Sequence, residues 1–145
     1  METLVTKEQQ LVGVSLGLVN LTVAIDPSAT STTSVQLKLT GPADKWFGVG
    51  FGTSTIYIHM EGDECPGGGP YVIIVSDDKV EERKLDYHGP SFVLSSSITV
   101  HSNQVEDGIR TVHSSRPLQG ATDKQYSFDA SSLSIPLIMA NGFSQ

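Results

Sequence analysis

The sequence predicts an all-β protein, an antiparallel two-sheet sandwich of about nine strands. Three observations carry this. Apolar and polar residues alternate in short runs, as in Val35-Gln36-Leu37-Lys38-Leu39. Turn-forming Gly, Pro, Asn and Asp punctuate those runs at intervals of roughly 8–12 residues. No window of useful length places apolar residues at i, i+3, i+4 and i+7, the helical pattern. The composition agrees: only 38% of the 145 residues are apolar and 17% charged, and Ser, Thr and Gly make up the balance. That mixture suits strands and turns better than helices.

Residues 1–10 read as an N-terminal extension and 11–145 as a single domain, a length sufficient for a substantial core. Residues 11–25 alternate in two phases, Val12, Val14, Leu16 and Leu18 on one parity and Val19, Leu21, Val23 and Ile25 on the other. A bulged strand or two short strands would give that shift. Asp26–Ser34 is turn chemistry. Val35, Leu37 and Leu39 mark a half-buried strand, and Gly41-Pro42-Ala43-Asp44 a tight turn after it.

Lys45–Gly52 follows, with the only tryptophan. Strand alternation sets Trp46, Gly48, Gly50 and Gly52 on one face and Phe47, Val49 and Phe51 on the other. A face so bare of side chains lets a neighbouring sheet or a ligand approach its backbone. Ile56, Ile58 and Met60 alternate next, then Gly67-Gly68-Gly69-Pro70 forms a loop. Tyr71–Val75 is a continuous β-branched run, expected as a central strand buried on both faces.

Asp77-Asp78 turns into a strand over Lys79–Tyr87, with Glu81-Glu82 on an exposed face, and His88-Gly89-Pro90 ends it. Ser95–Ser102 reads as a strand with Ile98 and Val100 on one face and Thr99 and His101 on the other. Glu106-Asp107-Gly108 signals a hairpin between Val105 and Ile109. The return strand, Ile109–Ser115, ends at Arg116-Pro117-Leu118. Gln119–Lys124 is a loop, Tyr126 and Phe128 flank a short strand, and Leu133, Ile135, Leu137 and Met139 alternate in the last. Asn141-Gly142 reads as a turn.

Charge and motifs narrow the function classes. A net charge of −7 argues against nucleic acid or an anionic membrane surface as partner. One cysteine, Cys65, forms no intramolecular disulfide and no CxxC metal knot. No run of about 18 apolar residues marks a membrane span. Residues 1–10 lack the basic and apolar regions of a leader, so an exported protein would have lost its leader already. His59, His88, His101 and His113 are scattered, without HxH or HExxH spacing. The glycines at 48, 50 and 52 precede no helix, so a phosphate cradle lacks its dipole. Asp63-Glu64 beside Gly67–Gly69 offers oxygen ligands for calcium, with a solvated acidic loop the favoured reading. Asn20-Leu21-Thr22 fits the N-glycosylation pattern but lies inside an alternating strand. No nucleophile–base spacing appears, so an enzyme ranks last. Met60 ends a strand and runs into Glu61-Gly62-Asp63. Its thioether is core filler by default, or a soft ligand suited to haem iron.

The order Trp46-Phe47-Gly48-Val49-Gly50-Phe51, then Met60-Glu61-Gly62, then Tyr71–Val75 resembles the DOMON domain. Val105–Gly108 as a hairpin and Val112–Leu118, ending in an Arg-x-Leu pattern, fit the same family. The resemblance covers roughly residues 12–143. It implies an immunoglobulin-like β-sandwich, extracellular or at the cell surface, that binds haem b or a sugar. In its cytochrome-type members the methionine matching Met60 is an axial haem ligand. The second ligand there is a histidine after a W-A-x-G-like segment. The matching segment here is Ile138–Gly142, with Met139 where tryptophan is common, and no histidine follows it. His113 and His101 are the candidate substitutes.

The leading expectation is a non-enzymatic module that holds haem b, or another small ligand, at one end of the sandwich. Trp46, Phe47, Phe51 and Tyr71 are candidates for an apolar lining, and Met60 for the iron ligand. One-electron transfer with a redox partner would follow. The alternatives are a carbohydrate-binding or adhesion domain, with Trp46 stacking on a sugar, and a self-associating structural subunit. In the latter the apolar Leu11–Ile25 stretch would be the exchanged strand.

Overall fold

The computed structural model describes residues 10–16, 18–25, 34–51, 71–85, 92–122, 124–128 and 137–143. Apolar alternation there has become strand. The ten strands are β1 Gln10–Leu16, β2 Val19–Ile25, β3 Ser34–Pro42, β4 Lys45–Phe51, β5 Tyr71–Ser76, β6 Lys79–Lys84, β7 Phe92–Val93, β8 Thr99–Glu106, β9 Ile109–Pro117 and β10 Leu137–Phe143. Seven of them are seven to nine residues long. They form two antiparallel five-stranded sheets, β1-β2-β3-β9-β8 (sheet A) and β10-β4-β5-β6-β7 (sheet B).

The count among the described residues thus exceeds the nine expected. The two-phase stretch at the start is two strands: β1 and β2 form a hairpin closed by Leu16 opposite Val19. That stretch is held within its own sheet. The strand expected from Ser95 begins only at Thr99, because residues 94–98 carry the chain from sheet B to sheet A. No strand forms at Tyr126–Phe128; one backbone bond, from Phe128 N–H to the Leu118 carbonyl at 2.9 Å, holds that segment. Asn141-Gly142 is not a turn but part of β10, opposite Phe47 and Trp46. The strand expected at Ile56–Met60, with Cys65, His59 and His88, lies outside the described residues.

Side-chain parity builds the core. Val19, Leu21, Val23 and Ile25 of β2 and Val35, Leu37 and Leu39 of β3 form the inner rows of sheet A. Phe47, Val49 and Phe51 of β4 meet them with Tyr71, Ile73 and Val75 of β5. Each fully buried side chain of this kind contributes about 1.5–3 kcal/mol relative to exposure. β5 is central in sheet B and largely buried, as its β-branched run predicts. Among the described residues no helix is long and apolar enough to cross a membrane.

Two corners fix how the sheets meet. At the passage from β3 to β4, the Phe47 ring lies on Gly41, where a Cβ would fall 2.5–2.7 Å from ring carbons. At the tip of the β8–β9 hairpin, Asp107 and Gly108 both take positive φ, 53° and 77°. This is the conformation that two-residue hairpins with right-handed twist require. The Gly108 carbonyl then accepts from Ala43 N–H at 2.9 Å, tying the two corners together.

Gly41→Ala is expected to lower stability by about 1–3 kcal/mol, since the buried Phe47 ring has no room to yield. Gly142→Ala meets only the half-buried Trp46 indole, which can swing outward, so its cost is smaller. Urea unfolding of both variants checks the order; equal costs would refute the corner packing.

Candidate functional site

The Asp77-Asp78 turn sets the register of the β5–β6 hairpin: Val75 faces Val80, Ile73 faces Glu82 and Tyr71 faces Lys84. Paired residues share a face. Glu82 therefore points inward with Ile73, and it is 1% exposed. This corrects the sequence expectation that Glu81-Glu82 form an exposed face: Glu81 remains half-buried, but Glu82 lies inside.

The buried carboxylate is met by donors on both oxygens. Oε1 accepts from the Tyr71 hydroxyl at 2.7 Å, Ser97 Oγ at 2.9 Å and Gln125 Nε2 at 3.3 Å. Oε2 accepts from Ile98 N–H at 3.2 Å and from the Ser97 backbone N–H. Hydrogen bonds to an ionised partner contribute about 1.5–3 kcal/mol each. Gln125 also donates to the Ser95 carbonyl at 3.2 Å and accepts from Ala121 N–H at 2.8 Å. One carboxylate thus pins two connectors that have no ladder of their own.

A buried cation stands beside it. Arg116 shares the inner face of β9 with Val112 and Ser114 and is 1% exposed. Its Nη2 donates to the Tyr126 carbonyl at 2.6 Å. Its guanidinium carbon lies 5.4 Å from the Tyr71 ring centre and 5.1 Å from that of Phe128. Nε and Nη1 have no hydrogen-bond partner. Aromatic rings close around the pair: Phe51 packs on Tyr71, Tyr126 and Phe128 at 6.0, 5.7 and 5.3 Å between ring centres. Tyr71 touches both charges, by its hydroxyl and by its ring. Burial pushes the Tyr71 phenol far above the usual tyrosine pKa; the Arg116 charge opposes this and Glu82 reinforces it. The hydroxyl stays protonated and serves as a donor.

Of the residues singled out from sequence, Phe51 and Tyr71 come together here, directly opposite each other across β4 and β5. Phe47 is a core residue four positions away along β4, roughly 13 Å. Trp46 is on the outer face of sheet B, half-buried, with its indole over Gly142 at what would be 2.7–2.9 Å from a Cβ. Met60 lies outside the described residues, as do Asp63 and Glu64. His101 donates to or accepts from Ser115 Oγ at 2.8 Å, and His113 is exposed on the same outer side of sheet A. Neither faces the Phe51–Tyr71 cluster. No described carboxylate bonds His101 in turn, so this Ser–His contact lacks the third group that orients a catalytic base. Among the described residues no three His, Cys, Asp or Glu side chains gather as a metal site. Asn20 donates across strands to Thr40 Oγ1 at 3.2 Å.

Sequence reasoning missed Glu82, Arg116 and Gln125. A signal for Glu82 existed: a two-residue turn at Asp77-Asp78 places it opposite the buried Ile73. Arg116 follows by the same parity from Val112. Nothing local marks Gln125. No protein-family model matches the chain, and no curated protein matches it.

Because the fold favours the neutral Tyr71 phenol, its contribution is complete below the unfolded tyrosine pKa of about 10 and is lost as pH rises past it. Tyr71→Phe is expected to cost about 1.5–3 kcal/mol at neutral pH and to flatten the alkaline loss of stability. Glu82→Gln, which turns one acceptor into a donor, costs more. Urea midpoints from pH 8 to 11 check both; an unchanged alkaline slope in Tyr71→Phe contradicts the linkage.

Proposed function

We propose that this chain is a non-enzymatic binding module, an immunoglobulin-like sandwich of the DOMON type, with its ligand at the Phe51–Tyr71 end. One observation carries the reading. β4 ends at Phe51 and β5 begins at Tyr71, and the two rings pack against each other beside a buried, incompletely bonded guanidinium. In sequence, residues 52–70, with Met60, connect these two strands.

Haem b is the first occupant proposed. The described residues fit it in two respects. Phe51, Tyr126 and Phe128 gather aromatic side chains at this end, Phe51 and Phe128 within the core, and Arg116 supplies the charge sign that suits haem's acidic side chains. Met60 would hold the iron through its thioether. When bound, haem supplies a reversible one-electron change at iron. The chain's own contribution is to bind the macrocycle, to orient it and to keep water from it. An extracellular or cell-surface setting and a redox partner belong to the same reading and rest on the family resemblance.

A carbohydrate-binding role is the second reading, favoured by Trp46. Its indole lies along the outer face of sheet B over Gly142, partly open to solvent. An aromatic plane on a sheet surface is a platform for sugar stacking.

Adding haem to the purified protein should produce a Soret band, and Met60→Ala should alter that band. Absence of any Soret band sinks the haem version. Trp46→Ala should leave the protein folded and abolish glycan-array binding if the sugar reading holds.

A further inference from the structure

We propose that the Arg116 guanidinium is an anion subsite that receives the carboxylate of a ligand with an apolar body. The inference deepens the reading above for its location, the Phe51–Tyr71 end, but depends on neither haem nor Met60.

The argument starts from unmet donors. A guanidinium carries five N–H groups. At Arg116 one bond is made, from Nη2 to the Tyr126 carbonyl, while Nε and Nη1 have no partner at 1% exposure. Buried donors of a charged group are costly to leave unmet. The faces of Tyr71 and Phe128 offset part of the desolvation through their π systems. The Tyr71 hydroxyl oxygen also lies within reach of the guanidinium, yet Nε and Nη1 remain without a partner.

The nearby carboxylate does not supply one. Both oxygens of Glu82 are taken by Tyr71, Ser97, Ile98 and Gln125. Glu82 therefore balances Arg116 at a distance without satisfying it. Arg116 differs here from Gln125, whose amide is bonded at both its oxygen and its nitrogen. The buried polar groups around the site are saturated, and the guanidinium is the exception.

The surroundings select the class of anion. A single guanidinium matches one negative charge, which suits a monocarboxylate better than a phosphate dianion. The rings of Phe51, Tyr126 and Phe128 stand edge to face at 5.3 and 5.0 Å between centres. They surround the guanidinium with apolar rings, Phe51 and Phe128 themselves buried, so an apolar ligand body would have to part them, and they bring no second cation. A hydrophobic or aromatic monocarboxylate satisfies the charge, one of the two unmet donor edges and the apolar surround together.

The test uses benzoate against benzyl alcohol, which has a similar ring and no charge. Thermal shift and side-chain NMR of the arginine Nε–H groups are followed in the whole chain and in Arg116→Gln and Met60→Ala. Benzoate should raise Tm saturably and shift one arginine Nε–H signal, the one missing from Arg116→Gln. Benzyl alcohol should bind about tenfold more weakly or not at all. Arg116→Gln should lose the preference, and Met60→Ala should keep it. Equal binding of the two probes, no binding of benzoate, or benzoate binding unchanged in Arg116→Gln overturns the proposal. If Arg116→Gln does not fold, the probe comparison and the NMR shift in the unsubstituted protein decide alone, with Arg116→Lys identifying the signal. Benzoate binding without haem binding retains the subsite and removes haem. Haem binding without benzoate binding removes the subsite.

Discussion

The carboxylate of Glu82, sealed between two sheets, is the constraint on which the irregular half of this molecule depends. Strand pairing accounts for β1 to β10. It does not account for residues 94–98 or 118–128, which lack a ladder. Those segments are placed by what they donate: Ser97 and Ile98 through backbone N–H groups, Gln125 through its amide. A charge removed from water must be surrounded by donors, so the carboxylate dictates where the connectors run. The backbone of Glu82 adds to this, since its carbonyl accepts from Leu94 N–H at 2.9 Å. Ser97 and Gln125 thus tie the two connectors to β6 of sheet B.

The glycine-rich strand at Trp46–Phe51 has a different logic. Its bare face is occupied by the protein itself. A Cβ on Gly48 would lie 2.7 Å from the Ile73 carbonyl oxygen and 3.2 Å from the Ile74 side chain. On the same outer face, the Trp46 indole lies where a side chain on Gly142 would be. Glycine and tryptophan are complementary across β4 and β10: one omits a side chain and the other covers the gap. The opposite face keeps its large residues, Phe47, Val49 and Phe51, for the core. The same alternation that exposes Trp46 sends Phe47 inward, so the two neighbours cannot line one site.

Regular structure was legible because its cause is local. Val35, Leu37 and Leu39 announce an inner row by period alone, and Asp107-Gly108 announces its turn by the φ values that turn needs. The two-sheet architecture follows from many such rows without any helical pattern. The site was less legible, because its cause is nonlocal. Phe51 and Tyr71 could be chosen as aromatic, but nothing in their vicinity distinguishes them from Phe47, which belongs to the core alone. Glu82 sits in Val80-Glu81-Glu82-Arg83-Lys84, a run whose charge reads as solvated surface. Only the register against β5 turns it inward. Gln125 is a loop residue by every local criterion, and its role appears only when residues 82, 95 and 121 are brought beside it.

Glu82 and Arg116 show why two buried charges need not have one explanation. Buried ion pairs are weak sources of stability, since well-packed apolar residues in their place are often as good or better. Glu82 nevertheless has a structural use that an apolar residue could not fill, because five donors converge on it. Arg116 has less of one, a single bond to the Tyr126 carbonyl of one connector. One carbonyl and two ring faces would not require a guanidinium, and a methionine or leucine would pack there without unmet donors. The energetic difference lies in saturation. A saturated buried charge organises the chain around it, whereas an unsaturated one holds binding capacity that the fold does not consume. Tyr71 links the two, donating its hydroxyl to the first and lending its ring to the second. Anything that pulls on the Arg116 guanidinium therefore acts on the ring whose hydroxyl helps to fix Glu82, and through Glu82 on the connectors at that end. A ligand captured by Arg116 would be coupled to local order at the Phe51–Tyr71 end through one phenol, in contact rather than at a distance.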